Sequence, residues 1–350
     1  MQNKKTPRKN KKYVIGILFL LILMFVTYYF VFRAYSFNQL LDVLKEVDIK
    51  WILLSVAFVI IFVAGQGVSI RLICKSLGHK ISLPSSFIYS SIDFYYSGIT
   101  PSATGGQPMM AYYMAKDGVP LSKCGIALVL TVMQYTLSIV VLGTAGAFIL
   151  PDFISHATSH PLFVIFYFLG MLLNLALVLA CVAAMFWRSL VSKFIVFFAN
   201  FFYKIKIVKD KDSVINNLNN VLMDYNDAAH YFKNNPLIIL KVFFINLFQR
   251  IAQFSISYFV YRSFGFSNAN FFQIVAAQAM VTISVSILPL PGAVGASEGM
   301  FILMFSRFYA EDYLMPAMLL TRGITFYFML IMNCIITWIK HFTVMSRKKN

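Results

Sequence analysis

Four charged residues lie inside apolar runs of this sequence. They are Asp93 in SSIDFYYSG, Arg250 in NLFQRIAQF, Glu298 in GASEGMF and Arg322 in LLTRGITFY. A charge at the centre of a membrane helix costs at least about 2.5 kcal/mol, so such residues pair with one another or contact a polar substrate. We therefore expect Glu298 to be buried and compensated, by Arg322, by Arg250 or by a bound substrate.

Two stretches rich in proline, glycine and small polar residues interrupt apolar sequence. The first reads YYSGITPSATGGQPM, the second reads SILPLPGAVGASEGM, and both carry the pattern P-x-A-x-G, from Pro101 and from Pro291. Irregular backbone survives at membrane depth only where protein buries it or where it lines a wet cavity. Helices that begin directly after such stretches point N–H groups and positive dipole ends into that cavity, which favours an anion such as a lipid phosphate.

The two interrupted stretches and the buried charges together supply the predicted substrate-binding residues. These are Asp93, Pro101, Ser102, Thr104, Gly105, Gly106, Gln107, Arg250, Gly292, Gly295, Ser297, Glu298 and Arg322. The four glycines among them are expected to allow close backbone approach and positive φ angles. The cysteines and histidines of the sequence form no metal-binding or nucleophile–base pattern, so we predict no catalytic residue, metal or cofactor.

Composition assigns the chain to the integral membrane proteins. Of its 350 residues 59% are hydrophobic and 12% are charged, with a mean hydropathy of +0.74, whereas a soluble domain carries about a quarter charged residues. The net charge of +17 is concentrated beside the apolar segments, as the positive-inside rule expects of cytoplasmic loops. We therefore predict that the protein contacts the membrane and binds no nucleic acid directly.

Hydropathy predicts an all-α polytopic helix bundle. A spanning helix needs about 20 apolar residues, and six segments meet that test: 13–32, 51–70, 122–150, 161–187, 237–261 and 316–340. An even number of spans and basic ends predict that both termini are cytoplasmic. The interrupted regions, 87–114 and 271–308, are predicted to be re-entrant hairpins, which makes about eight helices in all. Similar broken hairpins in the two halves suggest an inverted repeat, which is typical of transporters.

The predicted organisation is one transmembrane domain with short cytoplasmic additions. Residues 13–340 form the domain, between basic tails at 1–12 and 341–350. Within it, segment 188–236 shows apolar residues at alternating spacings of four and three, which predicts a cytoplasmic amphipathic helix that ends before Pro236.

With these motifs, the sequence resembles the membrane part of the lysylphosphatidylglycerol synthase/flippase family over residues 14–340. The resemblance rests on TPSATGGQPMMAYYMAKDGV at 100–119, on LPLPGAVGASEGMF at 288–301, and on Arg322 in the last helix. It implies a multi-helix domain that moves aminoacylated phosphatidylglycerol to the outer leaflet, while a separate soluble domain transfers lysine from lysyl-tRNA. Met109 and Met110 stand where many relatives carry Arg or Lys. The chain ends at Asn350, so we expect no aminoacyl transfer from it alone.

The resulting functional prediction is a protein of the bacterial cytoplasmic membrane that binds and translocates a phospholipid. The expected substrate is anionic or aminoacylated phosphatidylglycerol, or another lipid-linked molecule. Two alternatives stay open: a phosphatidylglycerol lysyltransferase or its membrane subunit, and a non-transporting scaffold for a lipid-modifying partner. A lipid-modifying enzyme and a second copy of the chain are the candidate protein partners.

Overall fold

The computed structural model describes residues 45–100, 103–152, 161–186, 231–286, 288 and 290–346. Within these residues the protein is all-α, as predicted, with helices α1 Ile49–Ser76, α2 Leu83–Ile99, α3 Gly106–Lys116, α4 Leu121–Ile149, α5 Pro161–Phe186, α6 Pro236–Ser263, α7 Phe271–Val285, α8 Ala296–Phe305, α9 Glu311–Arg322 and α10 Met329–Ser346. A 3-10 turn, Pro291–Ala293, precedes α8, and a π-helical segment, Gly323–Phe328, joins α9 to α10.

Five stretches of helix are long and apolar enough to cross a bilayer. They are Ile49–Ser76, Leu121–Ile149, Pro161–Ala183, Pro236–Ser263 and Glu311–Thr343. At 23 to 33 residues and about 1.5 Å per residue, each exceeds the hydrocarbon thickness of about 30 Å. They match five of the six predicted spans, and the sixth, 13–32, lies outside the described residues. The protein is therefore a multi-pass membrane protein.

Two hairpins of shorter helices occupy the interrupted regions. The first hairpin is α2 with α3, of 17 and 11 residues, and the second is α7 with α8, of 15 and 10 residues. Neither helix of a pair can cross a bilayer alone, since 17 residues rise only about 26 Å. Side-chain caps begin the entering helices: Ser82 accepts from the Ser85 amide, and Asn270 forms a capping box with Gln273.

The backbone of the two hairpin loops repeats at an interval of 190 residues. Ala103 and Ala293 both have positive φ, 53° and 50°. Their amides donate to equivalent carbonyls, those of Thr100 and Leu290, at 3.2 and 3.1 Å. After each loop the returning helix, α3 or α8, begins at the equivalent residue. The alanine of the P-x-A-x-G pattern therefore has the same conformation in both loops, whereas the glycine that ends the pattern does not, because Gly105 has φ −85° and Gly295 has φ 85°.

The two halves are related by inversion. Helices α1 and α6 pack side by side and run antiparallel, because the Asp48 amide at the start of α1 donates to the Ser263 carbonyl at the end of α6. Further along, Asn246 of α6 donates to Ser69 of α1. Helix α2 packs on α10, and its counterpart α7 packs on α4, whose own counterpart is the α9–α10 span. Such reciprocal packing is expected of two halves that a two-fold axis relates. Antiparallel equivalents place that axis across the helices, as in an inverted-topology repeat.

An ion pair links each hairpin to the other half of the bundle. Lys340 Nζ lies 2.6 and 2.9 Å from the two carboxylate oxygens of Asp117, and Tyr89 donates to the same carboxylate at 2.6 Å. In the other half Arg307 Nη2 lies 3.6 Å from Asp152 Oδ2. Positions 117 and 307 are again 190 apart, with the charges exchanged. These pairs mark opposite ends of the bundle, which we name the Lys340 face and the Asp152 face.

The two ion pairs differ in burial and are expected to differ in their effect on stability. Both side chains of the Lys340–Asp117 pair are largely buried, at 14% and 22% exposure, whereas Asp152 is 74% exposed. We expect Lys340→Gln to lower the free energy of unfolding by about 1–3 kcal/mol, because Asp117 loses its cation. Asp152→Asn, the matched control, should change it by less than about 0.5 kcal/mol. Equal losses in detergent-solubilised protein would contradict this assignment.

The orientation of the bundle remains a prediction from charge. The end of α10 that leads into the basic C-terminal tail lies at the Lys340 face, which we therefore expect to be cytoplasmic. Most of segment 188–236 lies outside the described residues, apart from a helical turn at 231–234, just before α6 begins at Pro236. A cysteine introduced at Ser213, with the native cysteines removed, should be labelled only after cells are permeabilised. Labelling of intact cells would reverse the topology.

Candidate functional site

The second hairpin loop is held by a buried ion pair. Glu298 Oε1 accepts from Arg322 Nε at 2.8 Å, while Oε2 accepts from the Gly295 amide at 2.6 Å and from the Ser297 hydroxyl at 3.1 Å. Arg322 Nη2 donates to the Gly292 carbonyl at 2.9 Å. The Glu298 and Arg322 side chains are 8% and 15% exposed. Of the two cations expected to compensate Glu298, the structure brings Arg322 to it.

The local sequence explains why Glu298 turns back on the loop. Gly295, which precedes α8, has φ 85° and ψ −51°, a conformation that residues with a Cβ rarely adopt. It has no side chain to cap the helix, so Glu298, in the first turn, caps the Gly295 amide instead. A carboxylate at a helix N-terminus also favours the helix dipole. Gly292, at φ 59°, and Ala293, at φ 50°, bring the residues with positive φ in this loop to three.

A π-helical segment directly follows Arg322 and brings an aromatic ring between the two hairpins. Such segments are rare and frequently occur at functional sites. The Arg322 guanidinium lies 4.8 Å from the centre of the Phe326 ring. A Cβ on Gly292 would collide with that ring, and a Cβ on Gly98, near the end of α2, would lie 3.9 Å from it. Since α2 also packs against Pro291–Ala293, the two hairpins meet inside the bundle, around Phe326.

The first hairpin buries a carboxylate without a basic partner among the described residues. Asp93 is 8% exposed, and its oxygens accept from Gln66 Nε2 at 2.5 Å and from Ser97 Oγ at 3.4 Å. A Cβ on Gly106, the first residue of α3, would collide with the Asp93 carboxylate, the Asp93 carbonyl and the Ser97 hydroxyl. Gly106 therefore lets α3 begin against Asp93.

The expectation of positive φ is wrong for the glycines of the first hairpin. Gly105 has φ −85°, and Gly106 is helical. The left-handed residue is Ala103 instead, whose amide closes a turn onto the Thr100 carbonyl. Gly105 is there for close approach: a Cβ would lie 2.6 Å from Thr100 Cγ2.

Of the four remaining predicted residues of the first loop, the structure describes two. Thr104 is exposed in the turn and Gln107 is half-buried in the first turn of α3. Pro101 and Ser102 lie outside the described residues.

Arg250 lies apart from the Glu298–Arg322 pair. It is 1% exposed, and its guanidinium stacks 3.3 Å from the centre of the Tyr135 ring of α4. Its Nη1 donates to the Gln253 side chain. Among the described residues no carboxylate forms an ion pair with it.

Sequence reasoning missed several residues that hold the hairpins. Gln66, which binds Asp93, and Phe326, which separates the loops, were not singled out. Asp117 lies inside the first family motif, but its partner Lys340 is 223 residues away, and sequence alone gives no signal for that contact. Among the described residues no cluster of His, Cys, Asp or Glu could hold a metal ion. The described site therefore consists of one carboxylate–guanidinium pair, one buried carboxylate and one buried guanidinium.

Comparisons with known proteins agree with this architecture. The family model described as the lysylphosphatidylglycerol synthase TM region matches residues 13–332, which include both hairpins and Arg322. A UPF0104 membrane protein of Archaeoglobus fulgidus is 25% identical over 288 residues, covering 79% of this chain and 83% of that relative.

Proposed function

Because the chain belongs to the lysylphosphatidylglycerol synthase transmembrane family, we propose that it binds phospholipid headgroups between its two broken hairpins and moves them between leaflets. The observation that carries the proposal is the buried Glu298–Arg322 pair, which clamps one hairpin loop where it meets the other hairpin. Irregular backbone with ionised side chains at membrane depth is characteristic of a substrate pathway. The coarser conclusion, a membrane protein linked to lipid handling, follows from the family.

The chemistry of the site favours a headgroup that carries both a phosphate and an amine. Arg322 can bind the phosphate oxygens if the headgroup displaces the Glu298 carboxylate from it. The released carboxylate can then accept hydrogen bonds from an ammonium group of the headgroup. Asp93, in the opposite hairpin, offers a second carboxylate. The N-termini of α3 and α8 add partial positive charge for the phosphate. Aminoacylated phosphatidylglycerol has this combination, and plain phosphatidylglycerol has the phosphate alone.

The inverted repeat supports the proposed movement between leaflets. Two similar halves can exchange conformations around a fixed site, opening it first to one face and then to the other. The ion pairs at the Lys340 face and the Asp152 face are positioned to close one end while the opposite end opens. The acyl chains remain in the bilayer, so only the headgroup needs a polar path.

A headgroup series in reconstituted vesicles tests the proposal. We expect the purified protein to accelerate leaflet exchange of fluorescent phosphatidylglycerol and lysyl-phosphatidylglycerol over protein-free vesicles, and to act more weakly on a neutral glycolipid. Supplying lysyl-tRNA tests the enzyme alternative, because formation of lysyl-lipid by the purified chain would favour a lysyltransferase. Exchange no faster than in protein-free vesicles for every headgroup would leave the scaffold as the better account.

A further inference from the structure

Arg250 of α6 has a buried guanidinium, and one edge of that group makes no hydrogen bond to the described residues. Nη1 donates to Gln253, and the planar group stacks on Tyr135 and faces the Phe62 ring at 5.3 Å. Nε and Nη2 have no hydrogen-bond acceptor among the described residues, although the side chain is 1% exposed. These two nitrogens form the side of the guanidinium that binds two oxygens of one phosphate or carboxylate in parallel.

Among the described residues no carboxylate forms an ion pair with Arg250. Glu298 is engaged by Arg322, and Asp93 accepts from Gln66 and Ser97. Cation–π stacking offsets only part of the free-energy cost of burying an uncompensated charge. Arg322 differs at the same edge, since its Nε and Nη2 are both occupied. The Nε and Nη2 atoms of Arg250 can therefore donate two parallel hydrogen bonds to the oxygens of a bound anion.

A polar stripe leads from Arg250 toward the surface of the bundle. Gln253 is half-buried, and Ser257, one turn further along α6, donates to Gln278 of α7 at 2.8 Å. Gln278 and Thr282 are also half-buried and contact each other. Amide side chains partly exposed within apolar helices are unfavourable against lipid tails, unless polar groups pass beside them. The stripe runs along the α6–α7 interface, where the two helices pack directly.

We propose that Arg250 binds a phosphate group, that of a phospholipid headgroup which enters between α6 and α7 along this stripe. The inference rests on the proposed function and adds a separate binding step to it. Phe62 connects the two places, because its ring also packs 4.7 Å from Phe94, the neighbour of Asp93 in the first hairpin. A phosphate at Arg250 would thus lie one aromatic layer from the hairpin site.

Ligand-dependent thermal stability of the purified full chain measures this binding separately from lipid movement. The probes are a short-chain phosphatidylglycerol, the matching diacylglycerol without phosphate, and inorganic phosphate. We expect the phosphatidylglycerol to raise the Tm of the wild type and the diacylglycerol to have no effect. Arg250→Gln should need at least about tenfold more phosphatidylglycerol for the same shift. Arg262→Gln, which removes another stacked arginine of α6, should respond as the wild type does.

Further arms keep the test decisive. If Arg250→Gln does not fold, Arg250→Lys replaces it, because lysine keeps the charge but cannot bind two oxygens with parallel N–H groups. The same weakening of phosphatidylglycerol binding is then expected. Stabilisation by inorganic phosphate alone, lost in the variant, would support a phosphate site that takes free phosphate. An equal response of the wild type and both Arg250 variants, or no response to either phosphate probe, would overturn the proposal.

Failure of this inference is distinguishable from failure of the proposed function. If the wild type exchanges lipid while the Arg250 variants bind phosphatidylglycerol normally, the proposed function stands and the Arg250 site is wrong. If the wild type moves no lipid but its stabilisation depends on Arg250, the phosphate site stands without translocation.

Discussion

Gly106→Val and Gly295→Val are each expected to reduce leaflet exchange to the rate of protein-free vesicles, for two different physical reasons. At Gly106 the new side chain collides with the Asp93 carboxylate and with its backbone carbonyl, so α3 cannot begin beside α2. At Gly295 there is open space, but φ 85° is strained for any side chain and worst for a β-branched one. Fluorescent-lipid exchange in proteoliposomes measures the effect, with size-exclusion chromatography as the check on folding.

Matched glycines provide the controls. Gly125 in α4 and Gly299 in α8 have nothing within 4 Å of an added Cβ and have negative φ. Gly125→Val and Gly299→Val should therefore keep exchange near the wild-type rate. If Gly106→Val and Gly295→Val lose activity only in proportion to lost melting temperature and expression, the glycines serve helix packing, as small residues often do in bilayers.

Glu298→Gln is expected to slow leaflet exchange in a protein that still folds and inserts into the membrane. The amide keeps the shape of the side chain but loses the charge, so Arg322 is left without its counterion and the loop without one strong acceptor. Breaking a buried pair from one side costs on the order of 3 kcal/mol. Loss of the carboxylate also removes the group that exchanges with the headgroup, and we expect at least a roughly tenfold slower exchange. Exchange and thermal unfolding are measured on the same preparation.

A double-variant cycle separates a structural pair from a substrate site. In Glu298→Gln/Arg322→Gln neither charge is left uncompensated, so most of the lost stability should return. Under our proposal exchange should stay as slow as in the single variants, because both headgroup-binding charges are gone. Recovery of exchange together with stability would mean that the pair only holds the loop.

The spans and the hairpins could be predicted because hydrophobicity and backbone chemistry are local properties. About 20 apolar residues identify a spanning helix wherever it packs, and the described spans lie where the sequence placed them. The loops could be predicted because proline and glycine break helices locally. The three residues that the two loops share also indicated one common structural feature, because the alanine at the third position has positive φ in both halves.

The pairing of the buried charges could not be predicted because it depends on packing between distant elements. Arg250 and Arg322 both lie in apolar helices, and only the assembled bundle puts one beside Glu298 and the other on Tyr135. The placement of positive φ on Ala103 rather than on Gly105 was missed for a related reason. Glycine adopts positive φ more readily than any other residue, but contacts within the turn decide which position is left-handed. The π-helical segment after Arg322 also leaves no compositional signal.

Photocrosslinking of a lipid headgroup is the most direct test of the central claim, that both hairpins hold the substrate. The probe is phosphatidylglycerol with a photoreactive group on its glycerol headgroup, incorporated into vesicles with the wild-type protein. The account predicts crosslinks, mapped by mass spectrometry, in both 104–107 and 292–298, which excess unlabelled phosphatidylglycerol suppresses. Crosslinks confined to lipid-facing helices such as α5, with none in either loop and no competition, would contradict it.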